Sequence, residues 1–196
     1  MIVSVWYIFC RSINELYEVL RRRSKFREQF EVLQHIGQGR YGKVTLVKSK
    51  DSAQDHSAIK RIKPAIDSLG DIQMILTESQ SLKKLKGHPH VVDFRDSWLA
   101  MDSTEDDEDD GFVDDCLIFY LNMELCQESL KQWKKEMLKE NTKPPDYEHQ
   151  CENILIQILD GLCWIHSNGI FHLDLNVSSF APRFPYMFVY KTLVTP

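Results

Sequence analysis

Residues 36–44 read IGQGRYGKV, and the triplet Ala58-Ile59-Lys60 begins sixteen residues after the last of these glycines. Because glycine carries no Cβ, the backbone at Gly37, Gly39 and Gly42 can approach a polyphosphate closely. A strand lysine such as Lys60 can offer a positive charge to the same phosphates. The sequence therefore predicts an ATP-binding segment.

The residues that follow the glycines distinguish three phosphate-binding motifs. Gly37, Gly42 and Lys43 come close to the P-loop spacing. Val44 follows, however, where that motif needs a hydroxyl for magnesium. A dinucleotide-binding turn needs a helix to begin at the glycines, whereas residues 44–47 read VTLV and favour a strand. A strand, a glycine turn and a second strand are the arrangement of kinases. An ordinary glycine-containing hairpin stays open as an alternative, since the glycine spacing alone has low specificity.

The charge of the chain is unevenly distributed. The 196 residues carry a net charge of −5, and their 43% hydrophobic content is that of a globular protein. Residues 102–115 hold nine acidic side chains and no basic ones, so the remainder carries a balance of +4. We interpret this run as a disordered acidic loop, with a docking site for a basic partner as the alternative. Nothing else in the sequence indicates nucleic-acid binding.

The cysteines and the N-terminal residues indicate a compartment. An odd number of cysteines without a C-x-x-C pair favours reduced thiols in the cytoplasm or nucleus over disulfides or a zinc site. The first ten residues are apolar but too few to cross a bilayer, which takes about 20, so no transmembrane segment is predicted. Residues 1–24 form an amphipathic segment, either packed on the next domain or lying at a membrane interface. The cysteines are Cys10, Cys116, Cys126, Cys151 and Cys163.

Hydrophobic patterning predicts a small sheet followed by helices. Strand-like runs are separated by glycine or polar turns, and they cover residues 30–36, 43–48, 57–62, 91–98 and 117–123. A helix with Asp71 near its start carries Glu78 and ends at Gly87-His88-Pro89. Two further helices cover residues 129–139 and a longer stretch that ends near Gly169. Five strands with one helix, followed by helices, predict an α+β fold with two lobes.

From residue 25 to about residue 180, the chain resembles the protein kinase family. The motifs stand in the family's order: the glycine loop, Ala-Ile-Lys, a helix glutamate, Gly-His-Pro before a strand, an apolar strand leading to a hinge, a long helix, and HLDL at residues 172–175. The resemblance implies a kinase small lobe at residues 25–126, with a five-stranded antiparallel sheet and one helix. It also implies the start of a helical large lobe at residues 127–180, and a divergent tail at residues 181–196.

The resemblance implies a role for individual residues. ATP would lie between the lobes, with Lys60 on its α- and β-phosphates and Glu78 as the ion-pair partner of Lys60. An ordinary exposed helix carboxylate is the alternative for Glu78. Asp174 would accept the proton of the substrate hydroxyl. The adenine would meet Ile36, Val44, Ala58, the gatekeeper Met123, the Glu124 carbonyl and the Cys126 amide.

Within the kinases, the chain resembles the Wee/Myt inhibitory kinases, and particularly the membrane-associated Myt type. The strings that carry this resemblance are FREQFEVLQHIG, GHPHVVDFRDSW, YLNMELCQESLKQ and IHSNGIFHLDL. Most kinases have Arg in place of Leu173, where it binds a phosphate on the activation loop, so activity would not depend on that phosphate. The resemblance implies a cyclin-dependent kinase as substrate, a block on mitotic entry, and possible endomembrane association of a full-length Myt-type product.

The sequence departs from the family at its end. Asn176 and Ser179 stand where the family has Lys and a magnesium-binding Asn, so no metal ligand is confirmed. After Phe180, the remaining residues contain no D-F-G motif, which would hold Mg²⁺. The sequence therefore predicts a chain truncated after the start of the catalytic loop that transfers no phosphate. The alternative to a kinase is a catalytically inactive fragment that binds nucleotide or protein.

The missing large-lobe helices also predict an exposed apolar surface. The long helix should leave one face uncovered, which would cause self-association or chaperone binding. The residues of this predicted face are Ile154, Ile158, Leu162 and Ile165.

Overall fold

The computed structural model describes residues 25–39, 42–52, 54–63, 69–103, 115–126, 129–138, 145–171, 175, 179–183 and 187–190. The chain divides into two compact units. The first, here called the sheet unit, comprises Met1–Ser68 and Asp96–Asn122. The second, the helix unit, comprises Leu69–Arg95 and Met123–Pro196. The predicted lobe boundary at residue 126 stays a prediction.

A five-stranded sheet dominates the sheet unit. A short helix, α1 (Lys25–Gln29), leads into it, and the strand order is β1-β2-β3-β5-β4. The pairs β1–β2 and β2–β3 are antiparallel, so the predicted small-lobe sheet is confirmed. The strands are β1 (Phe30–Gly39), β2 (Gly42–Ser49), β3 (His56–Ile62), β4 (Phe94–Ser103) and β5 (Asp115–Glu124).

The fourth strand begins later than predicted. Residue 91 was the expected start, but β4 begins at Phe94. The Val91 amide donates a hydrogen bond to the His88 carbonyl at 3.2 Å. Val91 itself forms only an isolated β-bridge, so the strand propensity of the two valines does not extend β4 back to residue 91.

Aromatic side chains cover one face of the sheet. They are here called the aromatic cluster and comprise Phe26, Phe30, Trp98 and Tyr120. The Tyr120 ring stacks on Phe26 and on Trp98, with centroids 5.1 Å apart in both pairs. Phe30 stacks on Trp98 at 6.1 Å. Lys25 forms an ion pair with Asp96, and its Nζ lies 4.4 Å from the Trp98 ring centroid. The cluster thus packs α1 against the sheet.

The described residues of the helix unit form three helices and a small hairpin. A capping box starts α3 (Leu130–Met137), because the Gln132 amide donates to Ser129 Oγ and the Ser129 amide donates to Gln132 Oε1. The last helix ends before Gly169, whose φ of 71° suits glycine, as predicted. No helix in the described part of the chain could cross a membrane. The elements are α2 (Leu69–Leu85), α3 (Leu130–Met137), α4 (Tyr147–Ser167), β6 (Phe180–Arg183) and β7 (Met187–Tyr190).

The predicted exposed face of α4 was wrong. Ile154 and Ile165 are buried, and Ile158 and Leu162 are half-buried. The hairpin of β6 and β7 was not foreseen, and it packs through β7 against α4 and through β6 against α3. The helix unit therefore covers the stripe that the prediction left open. The large apolar side chains that α4 exposes are instead Leu155, Ile156, Leu159 and Trp164.

Candidate functional site

The sheet places the predicted phosphate-binding residues in one row. In the register of β1 and β2, Gly37 lies opposite Val44, and in that of β2 and β3, Val44 lies opposite Lys60. Neighbouring strands are about 4.8 Å apart, so the backbones of Gly37 and Lys60 are separated by roughly 10 Å. Ala58 lies two residues before Lys60 on the same face of β3 and is buried. The structure therefore brings together the part of the predicted site that belongs to the sheet unit.

A β-bulge changes the direction of the chain just before the first glycine. The register shifts between His35 and Gly37, which leaves Ile36 without a residue opposite it on β2. A bulge bends its strand and redirects the side chain, and bulges are frequent next to active sites. The side chain of Ile36 is 43% exposed. Its predicted contact with a purine stays a prediction, but the side chain is available for one.

The glycines of the hairpin differ in what the fold requires of them. Gly42 has a φ of 146°, and a Cβ built there would lie 2.0 Å from the Arg61 carbonyl oxygen. The fold alone therefore requires glycine at this position. At Gly37, a Cβ would lie 3.9 Å from Val44 Cβ, which is an ordinary contact.

The described residues thus leave room at Gly37 that folding does not use. A polyphosphate needs such room, because it has to lie against the backbone amides of a glycine loop. Lys60, two strands away, and the open backbone at Gly37 are the kinds of hydrogen-bond donor that suit a nucleotide phosphate. The residues present in the sheet unit therefore fit ATP. Gly39 lies opposite Gly42 in the register, at the end of β1.

The other predicted nucleotide contacts belong to the helix unit. Glu78 lies on α2 and is half-buried. Glu78 and Lys60 belong to different units, so the ion pair between them stays a prediction. Met123 is buried near the end of β5, and Cys126 is half-buried after it. Their contacts with adenine also stay predictions. Cys126, Cys151 and Cys163 form no disulfide.

Glu124 is held in place by two hydrogen bonds that the sequence did not reveal. Its amide donates to the Asp93 carbonyl at 3.0 Å, and the Asp93 amide donates to Glu124 Oε2 at 3.2 Å. This reciprocal pair fixes the backbone at the position where the Glu124 carbonyl was predicted to meet adenine. The sequence carries no local signal of it, since the partners are 31 residues apart.

The catalytic end of the predicted site is described only in part. Asp174 and Asn176 lie outside the described residues. Ser179, which stands where the family has a magnesium-binding Asn, is 3% exposed and immediately precedes β6. In the ranges that the structure describes, no group of three or more His, Cys, Asp or Glu side chains could hold a metal ion. The catalytic and metal roles stay predictions.

Comparison with known families defines the class of the protein. Residues 30–179 match the protein kinase domain family. That match covers most of the chain, so this chain belongs to the protein kinase family. The family as a whole uses ATP and Mg²⁺ for phosphoryl transfer.

The relatives support the Wee-type part of the resemblance. Wee1-like protein kinase 2 of Gallus gallus is 31% identical over 159 residues, which cover 80% of this chain and 25% of the relative. Its counterpart in Xenopus tropicalis is 30% identical with the same coverage. Serine/threonine-protein kinase PLK4 of Xenopus tropicalis is 29% identical over 154 residues, which cover 78% of this chain and 14% of the relative. The chain thus spans about a quarter of the length of the Wee1-like relatives. The Myt type stays a prediction.

Proposed function

We propose that this chain is the ATP-binding part of a Wee-type kinase that transfers the γ-phosphoryl group of ATP to protein Ser, Thr or Tyr hydroxyls. The observation that carries the proposal is the row of Gly37, Val44 and Lys60. The fold does not require glycine at Gly37, and Lys60 lies two strands away from Gly37.

The residues of the chain would divide the work of binding and positioning ATP. Lys60 would hold the α- and β-phosphates and would itself be oriented by Glu78. Asp174 would accept the proton of the attacking hydroxyl. Mg²⁺, when bound, would neutralise charge on the migrating phosphoryl group. Adenine would contact Ile36, Val44, Ala58, Met123, Glu124 and Cys126.

The substrate and the cellular role are proposed from the relatives and from the Wee/Myt-like strings. A cyclin-dependent kinase would be phosphorylated on the threonine and tyrosine of its ATP loop, which would block entry into mitosis. Leu173 would make activity independent of phosphorylation of the activation loop. We propose a cytoplasmic or nuclear location, with endomembrane association for a full-length Myt-type product.

A charge-matched pair of lysine variants tests the nucleotide site. Lys60→Met should weaken ATP binding by about tenfold or more, since a hydrogen bond to a charged group contributes about 1.5–3 kcal/mol. Lys63→Met is the control, because it removes the same charge from an exposed position three residues away. Adenosine affinity should be the same in both variants, since adenosine has no phosphate. Titration calorimetry of the full chain with ATP and with adenosine measures both affinities.

Equal losses of ATP affinity in Lys60→Met and Lys63→Met would contradict the proposed site. Phosphoryl transfer is then assayed separately, with a peptide from the ATP loop of a cyclin-dependent kinase. Transfer that disappears in Asp174→Asn would show that these residues suffice for catalysis. ATP binding without transfer would favour the alternative of a nucleotide-binding module.

A further inference from the structure

A cluster of two histidines and one carboxylate joins the turn after α2 to the last helix. The turn begins at Gly87, whose φ of 91° suits glycine. The Nε2 atoms of His88 and His90 each lie 3.5 Å from the same oxygen, Oδ2 of Asp160 on α4. One helical turn further, Trp164 stacks on the His88 ring with centroids 5.2 Å apart. All of these residues belong to the helix unit.

The hydrogen bonds of the turn fix where the proton of neutral His88 lies. The His90 amide donates to His88 Nδ1 at 3.2 Å. Because Nδ1 acts as the acceptor, the ring proton of neutral His88 lies on Nε2, facing Asp160. A metal ion would need the lone pair of Nε2. This arrangement therefore disfavours a metal site at His88 Nε2.

His90 is poorly placed to accept a second proton. Its side chain is 15% exposed, and its buried Nδ1 has no hydrogen-bond partner among the described residues. Protonation would create a buried N–H without an acceptor, which is costly. Asp160 would offset only part of this cost, because its side chain is 55% exposed and its charge is screened by water.

We propose that His88, His90 and Asp160 form an acid-sensitive contact, which holds the turn after α2 against α4 and weakens on acidification. The titratable groups that act on His90 within the described residues are Asp160 from α4 and His88 from its own turn. Burial lowers the pKa of His90, His88 lowers it further, and Asp160 partly restores it. The contact is separate from the proposed nucleotide site and does not depend on it.

The direction of the pH effect follows from the lowered pKa of His90. In the unfolded chain, this histidine takes up a proton near the ordinary value of about 6.5, while in the folded chain it does so only at lower pH. Stability is therefore fully present above about pH 6.5 and is lost as the pH falls toward the folded pKa. Within that window, the folding equilibrium constant should fall by up to about tenfold per pH unit, the limit for one proton.

The experiment combines histidine titration with unfolding of the full chain. NMR titration should give His90 a pKa below the ordinary histidine value, and Asp160→Asn should lower it further by removing the carboxylate that raises it. Urea unfolding at pH 7.5, 6.5 and 5.5 should show a loss of stability on acidification that is smaller in His90→Gln. His149→Gln removes an exposed histidine near the start of α4 and should leave the pH profile unchanged.

Several results would overturn the proposal. One is titration of His90 at the ordinary histidine value in the unmodified chain, a measurement that does not require any variant to fold. Another is an unchanged acid response in His90→Gln. Stabilisation of the chain by Zn²⁺ that disappears in His90→Gln would show a metal site instead. None of these measurements involves nucleotide, so their failure leaves the proposed ATP site untouched.

Discussion

The aromatic cluster and the glycine hairpin belong to the same sheet unit, yet packing accounts for all of the cluster and for only part of the hairpin. In the cluster, Phe26, Trp98 and Tyr120 are buried against one another. In the hairpin, Ile36 is exposed on a bulge, and Gly37 borders space that the described residues do not fill. Packing explains why large side chains stand in the cluster. At Gly37, packing among the described residues leaves room for a side chain and does not by itself explain the glycine.

The first prediction concerns the cluster, where the largest effect on stability is expected. Trp98→Ala should lower the free energy of unfolding by about 3–5 kcal/mol, since it removes a buried indole from between two aromatic rings. Trp98→Phe is the matched control. It keeps a ring and deletes the buried Nε1–H, which has no partner among the described residues.

Urea unfolding of both variants measures the difference. Trp98→Phe should lose much less stability than Trp98→Ala, because the deleted N–H contributes no hydrogen bond. Similar losses would show that the indole shape, and not aromatic contact area, holds the cluster together.

Local sequence signals predicted the elements of the fold better than their contacts. The β-branched run of β2 and the glycine at the end of α4 depend on a few neighbouring residues, so they could be recognised. The bulge at Ile36 depends on the register of β1 against β2, and the burial of Ile154 and Ile165 on α4 depends on tertiary packing. Neither can be derived from periodicity.

The same distinction holds for the sites. Gly37 and Lys60 were predicted as partners because a family motif records their spacing, and the register brings them into one row. The contact of His90 with Asp160 joins residues 70 positions apart and belongs to no local pattern. The sequence could not show that a carboxylate on a later helix would face the histidines of the turn.

The second prediction tests whether the fold itself requires glycine in the hairpin. Gly42→Ala should lower the free energy of unfolding by about 2–4 kcal/mol, because its Cβ would collide with the Arg61 carbonyl of β3 and its φ is strained for alanine. Gly169→Ala is the control, since it has a positive φ of 71° but no described atom within 4 Å of the added Cβ. It should cost only about 1–2 kcal/mol. Equal losses in the two variants would mean that β3 moves freely away from position 42.

The third prediction concerns Gly37, where the smallest effect on stability is expected. Gly37→Ala should leave the free energy of unfolding unchanged or raise it by about 0.4–1 kcal/mol, since its Cβ makes an ordinary contact and alanine restricts the unfolded chain. ATP affinity should nevertheless fall by about tenfold, because overpacking by one methyl group typically costs about 1–3 kcal/mol. Thermal unfolding and calorimetric titration measure the two effects separately. If Gly37→Ala instead lost as much stability as Gly42→Ala, both glycines would serve the fold and the ordinary-hairpin alternative would gain. Unchanged stability together with unchanged ATP affinity would mean that the polyphosphate does not pass Gly37, and the nucleotide would have to be placed elsewhere along the row that leads to Lys60.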